Sequence, residues 1–222
     1  VRLGSLWVVG LAGCDALFSI TTLPATDAAP HATCALQLYP MDTFTSAAPP
    51  CQPWGTVSNA VGPSMKTGHG LAVTLDQPGY GACYMPGTIL DATAGLFLEV
   101  DDPVGGNGLY TALHTYALDA KDVSASFVAL ADGLYLYQAA SPSDLLIGMA
   151  RFSPMTRWWR LRPTPDGIAG ETSANGLDWS TLGVAKGTVG QVAFDFGAGL
   201  DTGPAPAPAP TVTFRNLNSC PP

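Results

Sequence analysis

The chain has 222 residues, nine basic against seventeen acidic side chains and a formal charge of −8 at pH 7, which leaves no basic footprint for nucleic acid. Only 12% of residues are charged, whereas glycine and proline number 25 and 20, a turn-rich profile that suits many short strands joined by loops. Taking the chain from its start, Arg2 precedes a short apolar run, Leu3 to Ala12, that ends in Leu11-Ala12-Gly13-Cys14. This is a lipobox, and the run is shorter than the roughly 20 apolar residues a membrane-spanning helix needs. Residues 1–13 are expected to be a lipoprotein signal peptide and Cys14 the lipidated residue that anchors the chain to a membrane of the cell envelope, with the leaflet open. The alternative is an ordinary secretory signal with a chance cysteine. Residues 14–32, rich in Thr, Ala, Pro and Asp, read as a tether, and residues 33–222 as one domain, about the length at which a single sandwich buries a sizeable core.

Within that domain, strand-like segments recur at Gly70–Leu75, Gly95–Val100, Tyr110–Leu118, Val123–Leu130, Leu134–Gln138, Leu145–Phe152, Thr156–Arg162, Ile168–Ser173, Trp179–Val184, Gln191–Phe196 and Thr211–Leu217. They are short and bounded by Gly, Pro, Asp or Asn, and no window carries a clean helical stripe, so almost no helix is expected. Eleven or so strands at this spacing indicate a β-sandwich or barrel. The run Gly203 to Pro210, with alternating proline, is read as an extended loop that carries the chain to its closing strand. Four cysteines besides Cys14 (Cys34, Cys51, Cys83 and Cys220) contain no Cys-x-x-Cys spacing. In an exported chain they point to disulfides, for which three pairings exist.

The most informative stretch is Thr156 to Trp179. Trp159 and Leu161 share one side of its first arm, while Trp158, Arg160 and Arg162 share the other, which is the period of two of a half-buried strand. The second arm, Ile168 to Ser173, leads into Ala174-Asn175-Gly176-Leu177, where Asn and Gly are expected to supply positive φ angles for a tight turn before Trp179 opens another strand. Opposition of Glu171 to Arg160 predicts an exposed cross-strand ion pair.

Arg157-Trp158-Trp159-Arg160-Leu161-Arg162 and Glu171-Thr172-Ser173-Ala174-Asn175-Gly176-Leu177-Asp178-Trp179 together resemble the hairpin signature of bacterial concanavalin A-like lectin/glucanase domains, with Asn175 where Asp is usual. Asp42-Thr43-Phe44, Trp54 and the closing Val212-Thr213-Phe214-Arg215-Asn216-Leu217 are loosely similar as well. The resemblance implies an all-β jelly-roll sandwich of two antiparallel sheets and, because chain ends lie close together in such folds, disulfides Cys34–Cys220 and Cys51–Cys83.

It also frames the chemistry. Laminarinase-like relatives carry nucleophile and acid/base as E-x-D-x-x-E or E-x-D-x-E, and Glu99-Val100-Asp101 matches the first two positions. Pro103 or Val104 fills the place of the second glutamate, so Glu99 and Asp101 stand as an incomplete catalytic pair, short of the two carboxyls that retaining hydrolysis needs. Legume-type lectins use a similar strand for calcium, and Glu99, Asp101, Asn107 and His114 echo that ligand set, with calcium the one candidate cofactor. Trp158, Tyr135 and Tyr137 are the candidate rings for stacking on a sugar, with Trp158 expected on the less buried side and the pair Tyr135/Tyr137 or Leu134/Leu136 as the core pair. The histidines His31, His69 and His114 have no Gly-x-Ser-x-Gly elbow to accompany them. The resemblance implies non-enzymatic recognition of a carbohydrate or surface ligand. A degenerate glycan hydrolase and a purely structural surface module are the alternatives.

Overall fold

In the computed structural model, residues 42–45, 49–52, 55–58, 62–131, 133–139, 143–201 and 203–219 are described. The lipobox and tether, Cys14, Trp54 and the expected Cys34–Cys220 bridge lie outside them. The described residues form fourteen strands: β1 (Thr56–Ser58), β2 (Ser64–Thr67), β3 (Leu71–Thr74), β4 (Gly79–Ile89), β5 (Leu96–Asp101), β6 (Leu109–Ala117), β7 (Ala125–Leu130), β8 (Gly133–Gln138), β9 (Leu145–Ala150), β10 (Trp158–Thr164), β11 (Gly167–Ser173), β12 (Ser180–Lys186), β13 (Gln191–Leu200) and β14 (Thr211–Arg215). The helical content among them is one 3-10 turn, Pro154–Thr156, capped by Ser153. No helix among the described residues is long and apolar enough to cross a membrane.

The strands make two seven-stranded sheets, in the orders β1-β4-β13-β6-β7-β8-β9 and β12-β11-β10-β5-β14-β3-β2, with every pairing between named strands antiparallel. This is the concanavalin A-like jelly-roll sandwich. Neighbouring strands in the sheets are often distant in sequence, β5 lying between β10 and β14 and β13 between β4 and β6, so the fold is held by long-range pairing. The long β13–β14 connection, residues 201–210, is the proline-rich loop read from the sequence.

Alternation puts one set of side chains between the sheets. Leu96, Leu98 and Val100 of β5, Trp159 and Leu161 of β10, Phe127 of β7, Leu134 and Leu136 of β8, Phe194 and Phe196 of β13 and Phe214 of β14 all belong to this core. Its rings interlock: Phe196 lies 5.9 Å from Phe44 and 5.2 Å from Phe214, and Phe127 lies 5.8 Å from Trp159, distances at which aromatic pairs add to plain area burial. Leu134 and Leu136 are thus the core pair of β8, and Tyr135 and Tyr137 face outward. The Cys51–Cys83 disulfide is present and ties the segment before β1 to the inner side of β4.

Three strands escape the sequence reading, β1, β2 and β4. In β4, Gly79, Gly81, Pro86 and Gly87 interrupt any apolar period. The sheet absorbs Pro86 through a register shift opposite Val192–Phe194 in β13, since proline has no N–H to give the ladder.

At one flank the edge strands of the two sheets, β9 and β12, press together. A Cβ at Gly148 would stand 2.5 Å from the Leu182 carbonyl oxygen, and one at Gly183 would stand 2.7 Å from that of Ile147. Side-chain-free backbone at these two positions is what allows the edges to meet.

Candidate functional site

The outer face of the second sheet holds the residues the sequence singled out first. Phe97, Glu99 and Asp101 of β5 face out beside Trp158, Arg160 and Arg162 of β10 and Glu171 of β11, as the registers Trp158↔Glu99, Arg160↔Phe97 and Arg160↔Glu171 require. Trp158 does not offer its ring to solvent. It is 1% exposed, packed with Ala94 and Phe97 and flanked by Trp179, with Gly176 lying against its ring. The expectation of an open sugar platform at Trp158 is therefore corrected: the loop after β11 folds back and covers it.

The Arg160–Glu171 pair forms, but it is buried where exposure was expected. Arg160 Nε donates to Glu171 Oε2 at 2.6 Å and Arg162 Nη2 donates to Oε1 at 2.8 Å, while the Glu171 side chain is 4% exposed. Burial alone would raise the Glu171 pKa, but the Arg162 hydrogen bond and the Arg160 charge outweigh it and hold the carboxyl below its ordinary value. Arg160 also lies over the Trp179 ring, 4.1 Å from its centroid, within cation–π range.

The turn beyond β11 also differs from expectation. Gly176 has the positive φ, 72°, and Asn175 works through its side chain instead. Asn175 Oδ1 accepts from the Leu177 and Asp178 amides, and its Nδ2 donates to Asp178 Oδ2. Trp179 precedes β12, which begins at Ser180.

Glu99 and Asp101 share a side of β5, as the alternation predicts, and both are engaged. Asn216 Nδ2 donates to Glu99 Oε2 at 2.9 Å, Arg157 stands 3.4 Å from Oε1, and Arg215 pairs with Asp101 at 2.7 Å. The proposed calcium set does not assemble. Glu99 and Asp101 are on the outside of the second sheet, His114 is on the outside of the first, and the core separates them. Asn107 sits in the turn before β6 with φ of 52°. Among the described residues no group of three or more His, Cys, Asp or Glu is placed to hold a metal ion.

The outer face of the first sheet carries a different constellation. Asp195 of β13 faces Tyr84 of β4 on one side and His114 of β6 on the other. Its carboxylate accepts from two tyrosine hydroxyls, Tyr80 to Oδ1 at 2.8 Å and Tyr116 to Oδ2 at 2.9 Å, and the residue is 6% exposed. Tyr80 stacks on Tyr110 at 5.6 Å, and His114 lies 6.2 Å from Tyr80 and 5.7 Å from Tyr116. Gly199 makes the stacking possible, because a Cβ there would strike the Tyr110 ring.

Burial sets the ionisation in this cluster. It raises the Asp195 pKa, and the nearby His114 and the two hydroxyl donors offset that only in part. Burial likewise lowers the His114 pKa, with Asp195 and Asp144 pulling the other way. Tyr80 and Tyr116 are both raised, first by burial and then by the Asp195 charge. Near neutral pH the histidine is thus a neutral imidazole and the tyrosines are hydrogen-bond donors.

Beside the cluster opens a cleft of about 400 Å³, lined among others by Gly106, Gly108, Tyr110, His114, Leu130 and Asp201. Gly106 and Gly108 have φ of 91° and 81°, and a Cβ on Gly105 would collide with the Leu130 backbone. The Gly105–Gly108 loop can therefore lie flat on the β7–β8 turn and form the wall of the cleft. Farther along the same face, Tyr135 and Tyr137 of β8 stack at 6.2 Å, opposite Val128 and Ser126 of β7.

The two sheets and their layering are shared with a solved structure described as an apo Crh5 transglycosylase. The likeness has a TM-score of 0.55 over 80% of this chain and 81% of that one, at 11% sequence identity. It shows the fold. No protein-family model matches the sequence, and no curated protein matches it.

On this face sequence reasoning had singled out Tyr135 and Tyr137 as rings for a sugar, and His114 and Asn107 for another purpose. Asp195 carries a readable signal, an acidic residue between Phe194 and Phe196 on a strand whose even and odd positions face opposite ways. Its tyrosine partners are not readable locally, since Tyr80 is 115 residues away.

Proposed function

We propose that this jelly roll is a non-enzymatic glycan-recognition module and that the outer face of its first sheet is the binding surface. The observation that carries the reading is the ring cluster of Tyr80, Tyr110, His114 and Tyr116, held from beneath by the Asp195 carboxylate and opening on the cleft. Sugars present apolar C–H faces rimmed by hydroxyls, so a complementary surface combines ring faces with fixed polar groups. Rings recur from β4 to β8, four strand spacings or about 19 Å, a span that suits an oligosaccharide better than a single sugar. The shared fold with a transglycosylase is compatible with a carbohydrate ligand and carries no activity to this chain.

Binding is favoured over hydrolysis by the partners of Asp195. Retaining hydrolysis needs two carboxyls about 5 to 5.5 Å apart. The residues directly opposite Asp195 are Tyr84 and His114, and Glu99 and Asp101 are tied to Arg157, Asn216 and Arg215 on the other sheet. In the same reading, the Leu11-Ala12-Gly13-Cys14 motif supports export and a lipid anchor at Cys14, which would present the module at the cell envelope.

A glycan array probed with the purified protein, with and without calcium, tests the reading. Binding that survives calcium removal and is lost in Tyr110→Ala and Tyr135→Ala variants with unchanged circular dichroism is the expected result. Release of reducing ends from a bound glycan, abolished by Asp195→Asn, would replace it with the hydrolase reading. Absence of binding to every glycan would leave the structural module.

A further inference from the structure

The cleft beside Asp195 has an uneven chemistry. Its wall is largely apolar, from Leu109, Val128, Leu130 and Ala131, and among the described lining residues the ionisable side chains are Tyr110, His114 and Asp201. Asp201 acts electrostatically on Tyr110, as does Asp195, and His114 feels both Asp195 and Asp144. Asp201 thus lines the cleft itself, while Asp195 and Asp144 act on groups of its lining from outside it. His114 does not cancel them, because burial keeps its imidazole neutral near pH 7.

Basic groups are placed elsewhere. None of the eight described lysines and arginines is among the lining residues. Arg160 and Arg162, with Arg157 just before their strand and Arg215 on β14, gather on the second sheet, where they neutralise Glu171, Glu99 and Asp101. These four arginines therefore lie on the sheet opposite the cleft, whose own lining carries the Asp201 carboxylate. A low-dielectric, mostly apolar wall focuses the field of that carboxylate on whatever enters.

We infer that the cleft selects a cationic sugar, a hexosamine unit whose amine is free, with Tyr110 packing on the ring and Asp201 receiving the ammonium group. This deepens the glycan reading and rests on it. A carboxylate at the rim rewards a protonated amine, gives little to a neutral hydroxyl or acetamide, and repels a uronate or sulfate. Asp201 suits the role because it is exposed at the cleft while its own backbone is fixed, its amide donating to the Gly108 carbonyl at 2.9 Å.

The test is calorimetric titration of the full chain with four oligosaccharides of equal length: glucosamine, N-acetylglucosamine, glucose and glucuronate oligomers. The expected result is that the glucosamine oligomer binds at least about tenfold more tightly than the acetylated and neutral ones, a margin of about 1.4 kcal/mol. The margin should shrink in 0.5 M salt and disappear in an Asp201→Asn protein of unchanged circular dichroism. Equal affinity for glucosamine and glucose oligomers would overturn the inference and leave glycan binding standing. A glucosamine preference unchanged in Asp201→Asn would also overturn the assignment of that residue. Failure of all four to bind would remove both this inference and the reading on which it rests.

Discussion

Asp195 and His114 face one another directly across β13 and β6, and the carboxylate between them and Tyr84 is closed over by the Tyr80 and Tyr116 hydroxyls. A carboxyl so enclosed binds its proton more readily folded than unfolded. Its contribution is greatest below 3.8, its unperturbed value, and declines as pH rises through the elevated folded value. Asparagine can accept from one tyrosine with its oxygen and donate to the other with its amide, without a buried charge. Asp195→Asn should therefore gain stability relative to the native protein as pH rises from 3.8 towards 7. Urea midpoints of both proteins across that range check this, and a constant difference would contradict it.

Glu171 should behave in the opposite sense. Its folded pKa is lowered, so its stabilisation is present above 4.5 and is lost as pH falls through the folded value. Glu171→Ala also leaves the Arg160 guanidinium, 11% exposed, without its carboxylate. Breaking a buried pair by removing one partner typically costs about 3–5 kcal/mol. Chemical denaturation at pH 7 should show a loss of that order, and a loss below about 1 kcal/mol would mean the pair is effectively solvated.

The adjacent tryptophans should differ in their response to the same substitution. Trp159 Nε1 donates to the Thr156 carbonyl at 3.0 Å, whereas Trp158 Nε1 is buried with no hydrogen-bond partner among the described residues. Replacing Trp159 by Phe loses packing and orphans an acceptor, whereas replacing Trp158 by Phe loses packing but removes an unsatisfied donor. Trp158→Phe should be the milder variant by about 1 kcal/mol, measured by thermal melts of the two side by side.

Alanine at Gly148 or Gly183 should be disproportionately damaging for so small a change. Each new Cβ would meet a carbonyl oxygen of the other sheet, at 2.5 and 2.7 Å, and backbone cannot rotate away as a side chain can. A loss of about 1–3 kcal/mol is expected for either, the range for overpacking a close contact. Gly68, whose Cβ would touch nothing within 4 Å, is the control position.

The sandwich was legible because alternation survives in most strands. Trp159 and Leu161 inside, Arg160 and Arg162 outside, follow directly from a period of two, and the paired arms of the hairpin follow from their turn. Burial on the outer face was not legible. Trp158 is covered by a loop whose return is set by Asn175 and Gly176, so the strand pattern placed its side correctly and its exposure wrongly. β4 was hidden by its own glycines and proline, and with it Tyr80. The candidate site was missed for a related reason: Tyr80, Tyr110, His114, Tyr116 and Asp195 come from three strands that the order β4-β13-β6 makes neighbours, and no local spacing encodes that order. The Glu99–Asp101 motif was easy to see, but the alternation that pairs those carboxylates says nothing of which sheet receives them.

The meeting of β9 with β12 also governs how copies of this protein can associate. An extra strand needs room beside an edge, and at Ile147–Gly148 and Leu182–Gly183 that room is filled by the opposite layer of the same molecule. Growth by strand exchange or fibril-like stacking is thereby discouraged on that flank. It would have to begin at the other margin, along Thr56–Ser58 and Ser64–Thr67, which makes those seven residues the place to introduce charge if the protein proves prone to aggregate.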